Sequence, residues 1–196
     1  KRELRINAKL GTYPGWCVPK IAKYVLHDNS GTLQIERKYT IMMEKDAKIY
    51  VAGHRGMVGS AIVRRLEKEG YHNIITRTHK ELNLCRQDDV EKFFAEEKPD
   101  YVFLAAAKVG GIMANSEALA DFMYENMILE MNVIHEAWKG GCKKLMFLGS
   151  SCIYPRMAPQ PMPESCLLTS ELEKTNEAYA LAKISGLKYC EFLNKQ

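Results

Sequence analysis

The stretch that most limits what this chain can become is Val51-Ala52-Gly53-His54-Arg55-Gly56-Met57-Val58-Gly59. An apolar run, Ala47 to Ala52, leads into it, and residues with helical spacing, Ser60 to Leu66, lead out. Strand, glycine-punctuated turn and helix in that order let a backbone approach a pyrophosphate closely. Gly53 permits the tight turn, Gly56 leaves room for phosphates, and Gly59 lets the helix pack closely on the strand. The spacing is Gly-x-x-Gly-x-x-Gly, not the Gly-x-Gly-x-x-Gly of typical dehydrogenases. The flanking elements therefore decide the reading.

From Ala47 onward, short apolar strands alternate with helices. Strands are expected at Ala47–Ala52, Asn73–Thr76, Tyr101–Ala105 and Lys144–Gly149. Helices are expected at Val58–Gly70, Gln87–Glu97, Leu119–Trp138 and Asn176–Leu193, with a proline-rich loop over Pro155 to Pro163. In the third helix Phe122, Met123, Met127, Ile128, Met131 and Ile134 read as the apolar residues. This alternation predicts an α/β fold, a Rossmann-like doubly wound parallel sheet with right-handed crossovers. Such sheets bind ligands at the carboxyl ends of their strands. The glycine loop, Ala106-Ala107-Lys108 and Ser150-Ser151-Cys152 each follow a strand directly, which makes dinucleotide binding the expected function.

Residues 1–43 read differently. Gly11, Pro14, Gly15 and Pro19 break any pattern, although Thr32 to Thr40 alternates weakly. The segment carries a net charge of +5 and the remainder −1, so it reads as a basic extension ahead of a domain spanning 44–196. A near-neutral body argues against nucleic acid as a partner. No apolar run is long enough to span a bilayer, so no membrane partner is expected. Cysteines at 17, 85, 142, 152, 166 and 190 show no metal-ligand spacing, so no metal is expected, and they read as reduced thiols of a cytoplasmic protein.

An NAD site usually carries an acidic residue about 20 residues past the glycine loop, where it holds the ribose 2′-hydroxyl. Here Thr76-Arg77-Thr78-His79-Lys80 stands at that place, with no carboxylate before Glu81. Arg55 in the loop faces the same region, and a guanidinium suits a phosphate better than a hydroxyl. The cofactor expected is NADP.

Tyr179 and Lys183 lie four residues apart, on one face of the last helix. A lysine cation beside the phenol is expected to lower its pKa and aid proton transfer, and Lys183 could also hold a nicotinamide ribose. Ser150 or Ser151 would hydrogen-bond a substrate carbonyl beside Tyr179, leaving the other hydroxyl for the cofactor. Together these groups describe hydride transfer to or from a sugar-like carbonyl or alcohol.

Gly53-His-Arg-Gly-Met-Val-Gly59, Leu104-Ala-Ala-Ala-Lys-Val-Gly-Gly111, Leu148-Gly-Ser-Ser-Cys-Ile-Tyr-Pro155 and Tyr179-x-x-x-Lys183 resemble the GDP-L-fucose synthases. These are extended short-chain dehydrogenase/reductases, and the likeness runs from about Lys48 to Gln196. The resemblance implies conversion of GDP-4-keto-6-deoxy-D-mannose to GDP-L-fucose, by epimerisation at C3 and C5 and then reduction at C4 with NADPH, in a homodimer. It makes Tyr179 the proton donor, Lys183 its partner, Ser150 the catalytic serine and Cys152 the acid/base of epimerisation. A thiolate could take the acidic proton next to a keto group if its neighbours lower its pKa. The resemblance maps cofactor contacts onto Gly53, His54, Arg55, Gly56, Met57, Val58 and Gly59, then His79 and Leu84, Ala105 and Ala106. Leu148, Gly149, Ser150, Ser151, Tyr179 and Lys183 complete the set. Cys17, Cys85, Cys142, Cys166 and Cys190 read as structural.

His79 stands where the family has a more basic residue, with Arg77 and Lys80 close by. The family's second epimerisation residue, a histidine well beyond the tyrosine, is expected past Gln196, as are further strands and most of a GDP-sugar-binding domain. This reading anticipates an incomplete domain that binds NADPH weakly and turns over little. Two alternatives stay open: another nucleotide-sugar epimerase or dehydratase of the same superfamily, or a non-catalytic NADP-binding module. A dehydratase would place a carboxylate near the serine pair, where Cys152 stands.

Overall fold

The computed structural model describes residues 43–196, together with two short paired segments before them. Those segments, β1 (Leu26–His27) and β2 (Leu33–Gln34), pair antiparallel within a separate unit. The other expectations for residues 1–42 lie outside the described residues.

The main body holds one parallel sheet of four strands: β3 (Ile49–Ala52), β4 (Ile74–Ile75), β5 (Tyr101–Leu104) and β6 (Lys144–Phe147). Their order is β4-β3-β5-β6. The chain leaves β3 for β4 on one side, then returns past β3 to β5 on the other. That reversal puts a crevice at the carboxyl ends of β3 and β5. The α/β reading holds, and each expected strand is present, trimmed by one or two residues.

Among the described residues five helices accompany the sheet: α1 (Met57–Lys68), α2 (Gln87–Glu97), α3 (Ile112–Glu117), α4 (Leu119–Lys139) and α5 (Glu177–Lys195). The short α3 has no counterpart among the expected elements, because Val109-Gly110-Gly111 reads as loop and six residues show too little periodicity. All four residues of β3 are buried, so both faces of the sheet are covered. Tyr50 and Ala52 join a core with α2, α4 and α5, while Ile49 and Val51 are equally buried on the alternate face. Tyr50 packs against Phe93 and Phe94 of α2, with ring centroids 4.6 and 6.0 Å away. Fully burying one such apolar side chain contributes about 1.5–3 kcal/mol.

Helix α4 corrects one expectation. Its inward face is Phe122, Asn126, Leu129, Glu130, Val133, Ile134 and Ala137, together with the nearly buried Glu136. Met127, Ile128 and Met131 are only half-buried, and Met123 is exposed. Two polar residues, Asn126 and Glu130, occupy places that apolar periodicity assigns elsewhere. Both have buried partners, which is what lets them sit there.

Candidate functional site

The glycine loop leaves β3 with Gly53 at φ +82°. A Cβ there would lie 2.6 Å from the Ala106 nitrogen, so the loop after β5 packs directly on this backbone. At Gly59 a Cβ would come within 2.1 Å of the Gly53 carbonyl oxygen. Gly59 thus seats α1 on the loop itself, one residue beyond the strand. The Gly56 amide donates to the Gly53 carbonyl at 2.9 Å and closes the turn. The first turn of α1 carries no acidic residue, and Met57 is 90% exposed. The positive helix end and its free amides are therefore open to an anion.

Beyond the loop lies a cleft of about 460 Å³. Gly53, His54, Arg55, Gly56 and Ala106 line one side of it, and His79 and Leu84 another. The buried Nδ1 of His54 has no protein hydrogen-bond partner. Such a cradle, an orphaned imidazole nitrogen beside an open helix end, fits the phosphates of a dinucleotide. Arg77 also lines the cleft, but its guanidinium is held by Glu97 at 2.5 Å and lies 5.6 Å from the Phe93 ring centroid. Lys80 is exposed and does not line the cleft. Arg55 and His79 remain as the basic groups free to face a 2′-phosphate. Glu81 folds back to accept from the amide and hydroxyl of Thr78, at 2.7 and 2.8 Å. Those bonds hold its carboxyl below the usual range. No carboxylate from this turn reaches into the cleft to meet a ribose hydroxyl.

The second cluster forms where β6 ends. Leu148 and Gly149 lead to Ser150, and a 3-10 turn, Ser151–Ile153, follows. The Cys152 thiol donates to Ser150 Oγ at 3.1 Å. Ile153 and Tyr154 pack with Ala180 and Ile184 of α5, which brings that helix beside the turn. Burial pushes the Cys152 thiol above its ordinary value, against the opposing pulls of Ser150 and Lys183. The Tyr179 phenol is pushed up to about 12, chiefly by burial and then by Cys152 and Glu130. This reverses the expectation that Lys183 lowers it. The physical reason is first the burial of the phenol, and beside it Glu130, whose Oε1 lies 2.9 Å from Lys183 Nζ and offsets the ammonium's charge.

The NAD dependent epimerase/dehydratase family profile matches residues 49–196. The chain belongs to this family. GDP-L-fucose synthase 1 of Arabidopsis thaliana is 63% identical over 150 residues, which cover 76% of this chain and 46% of that protein. Among solved structures, a GDP-mannoheptose C4 reductase from Campylobacter jejuni with NADP bound aligns with a TM-score of 0.77 at 44% identity. That match covers 79% of this chain and 49% of the reductase. A GDP-L-fucose synthetase from Naegleria fowleri bound to NADP aligns with a TM-score of 0.72 at 27% identity, covering 79% and 47% of the two chains. The chain spans about half the length of the curated relatives it matches.

In this epimerase/dehydratase family member, the fold brings the sequence-expected groups to one edge of the sheet, in two sets. Gly53 to Gly56, His79, Leu84 and Ala106 share the cleft. Met57, Val58 and Gly59 form the helix end beside it, and the Ala105 amide donates to the Ala52 carbonyl at 3.0 Å. Leu148 to Ser151, Cys152, Tyr179 and Lys183 belong to the β6–α5 cluster. Sequence reasoning missed three groups. Cys85, read as structural, lines the cleft. Asn126 grips the loop after β5 by accepting from the Lys108 amide at 2.9 Å and donating to its carbonyl at 3.0 Å. Glu130 holds Lys183. The available signal for the last two was a pair of polar residues four apart inside an apolar helix face.

Proposed function

We propose that this chain supplies the NADP-binding and part of the catalytic machinery of a GDP-L-fucose synthase, with residues 44–196 as the NADP-binding part. Residues 1–43 are a basic extension on this reading. The carrying observation is the gathering of Ser150, Cys152, Tyr179 and Lys183 at the end of β6, together with a glycine-loop cleft whose turn after β4 offers no free carboxylate to a ribose hydroxyl and whose Glu125 is paired with Lys108. Relatives named GDP-L-fucose synthase at 57–63% identity support the same activity, and NADP-bound neighbours support the cofactor.

Gly53, His54, Gly56 and the amides opening α1 would hold the pyrophosphate, with Arg55 and His79 at the 2′-phosphate. NADPH, when bound, supplies the hydride. Ser150 Oγ would hold the C4 carbonyl, and the Tyr179 phenol gives its proton to the alkoxide oxygen that forms there. A phenol that keeps its proton to about 12 is fully protonated at neutral pH, the state a donor needs. Cys152 would exchange protons at the carbons flanking the keto group, where the resemblance places C3 and C5. A cytoplasmic setting and a homodimer belong to the same reading.

The test compares NADPH with NADH by quenching of intrinsic fluorescence. Saturable binding is expected to favour NADPH. Arg55→Ala should weaken NADPH by about tenfold, the loss of one charged hydrogen bond of about 1.5 kcal/mol, and leave NADH nearly unchanged. Equal affinities for the two cofactors would remove the NADP assignment.

A further inference from the structure

Helix α4 carries a carboxylate among apolar neighbours. Glu130 is 0% exposed and Lys183 only 3%, and their closest approach is 2.9 Å. Glu130 Oε2 faces the backbone of α5, 2.8 Å from where a Cβ on Gly186 would sit, and neither oxygen is placed to accept a hydrogen bond, so Lys183 meets the carboxylate as an ion pair. Lys183 Nζ lies 4.7 Å from the centre of the Phe147 ring and 5.8 Å from that of Tyr179. Each charge alone would be costly in this dry place, so each requires the other. A pair kept only for packing could be anywhere in the core. This one sits between the proposed proton donor and the end of β6.

We propose that Glu130 is a positioning residue for the Tyr179–Lys183 couple, holding Lys183 Nζ beside the phenol ring and offsetting the ammonium's charge there. The inference rests on the reading given under Proposed function, in which Tyr179 is the proton donor. Glu130 touches no reacting atom on this account and acts through Lys183. The titratable groups around it are Tyr179, Lys183 and Cys190 on α5, and Cys152 on the turn after β6 faces Lys183 and Tyr179. With the carboxylate removed, the nearest charge left to the phenol is the cation, and an unbalanced cation favours phenolate.

The experiment follows the Tyr179 phenol by fluorine NMR in protein labelled with 3-fluorotyrosine, its signal assigned from Tyr179→Phe. In Glu130→Gln the midpoint is expected to fall by about 1–3 pH units, while Glu130→Asp keeps it near the parent value. Adding Lys183→Met to Glu130→Gln should reverse the fall. A folded Glu130→Gln protein with an unchanged midpoint overturns the proposal. Should Glu130→Gln fail to fold, the carbon-13 signal of the Glu130 carboxyl in the unaltered chain decides, assigned by its loss in Glu130→Asp. An ionised carboxyl at pH 7 supports the role and a protonated one overturns it. None of these readouts needs turnover or bound cofactor, so a failure here is separate from a failure of NADPH binding.

Discussion

Tyr179 keeps its proton to about 12, against 10.0 for a free phenol, because ionisation would place a charge in a largely buried site close to Cys152 and Glu130. The sign of the effect on stability follows directly. Below pH 10 both folded and unfolded chains hold the proton, so the phenol contributes nothing. Between 10 and 12 the unfolded chain has lost it while the folded chain retains it, so stability falls as pH rises. Tyr179→Phe is expected to lessen that fall, measured by urea unfolding at pH 10, 11 and 12. Parallel curves for the two proteins would contradict it. At this scale the glycine loop and Tyr179-x-x-x-Lys183 were legible, because both are local patterns. The charge balance was not. A lysine four residues from a tyrosine suggests a lowered phenol, and only the fold reveals the carboxylate from another helix that cancels it.

Helix α4 links the two clusters. Its Asn126 binds the Lys108 backbone from both sides and donates to the Phe122 carbonyl at 2.7 Å. One turn on, Glu130 reaches Lys183. The helix thereby fixes the loop after β5 and Lys183 of α5 from a single rigid element. Asn126→Ala would leave the Lys108 amide and carbonyl without these bonds, at a cost of about 1–3 kcal/mol in urea unfolding. Its Cys85 should also be alkylated faster, since the loop bordering the cleft would loosen. Unchanged stability and unchanged alkylation would remove Asn126 from this role. Apolar periodicity marked the extent of α4 correctly and its orientation poorly. Methionines satisfy an apolar pattern whether or not they point inward, and a buried amide or carboxylate has no signature apart from its distant partner. Helix α3 was missed because six residues barely exceed one turn and a half.

At the scale of the molecule, the sheet was legible because its strands are short, mostly apolar and separated by helices, a pattern that parallel sheets impose. Strand order follows from the crossovers, and it places the switch point between β3 and β5. That is why segments distant in sequence, the glycine loop, His79–Leu84, Ala105–Ala106 and Leu148–Ser151, end on one edge. The same edge is where the proposed NADP site must lie. Hydrogen exchange with and without NADPH tests this most directly. The account predicts slowed exchange concentrated in 53–60, 79–85, 105–108 and 148–152, with the strand interiors unchanged. Slowed exchange at the opposite ends of the strands, or none at a saturating concentration of NADPH, would contradict it.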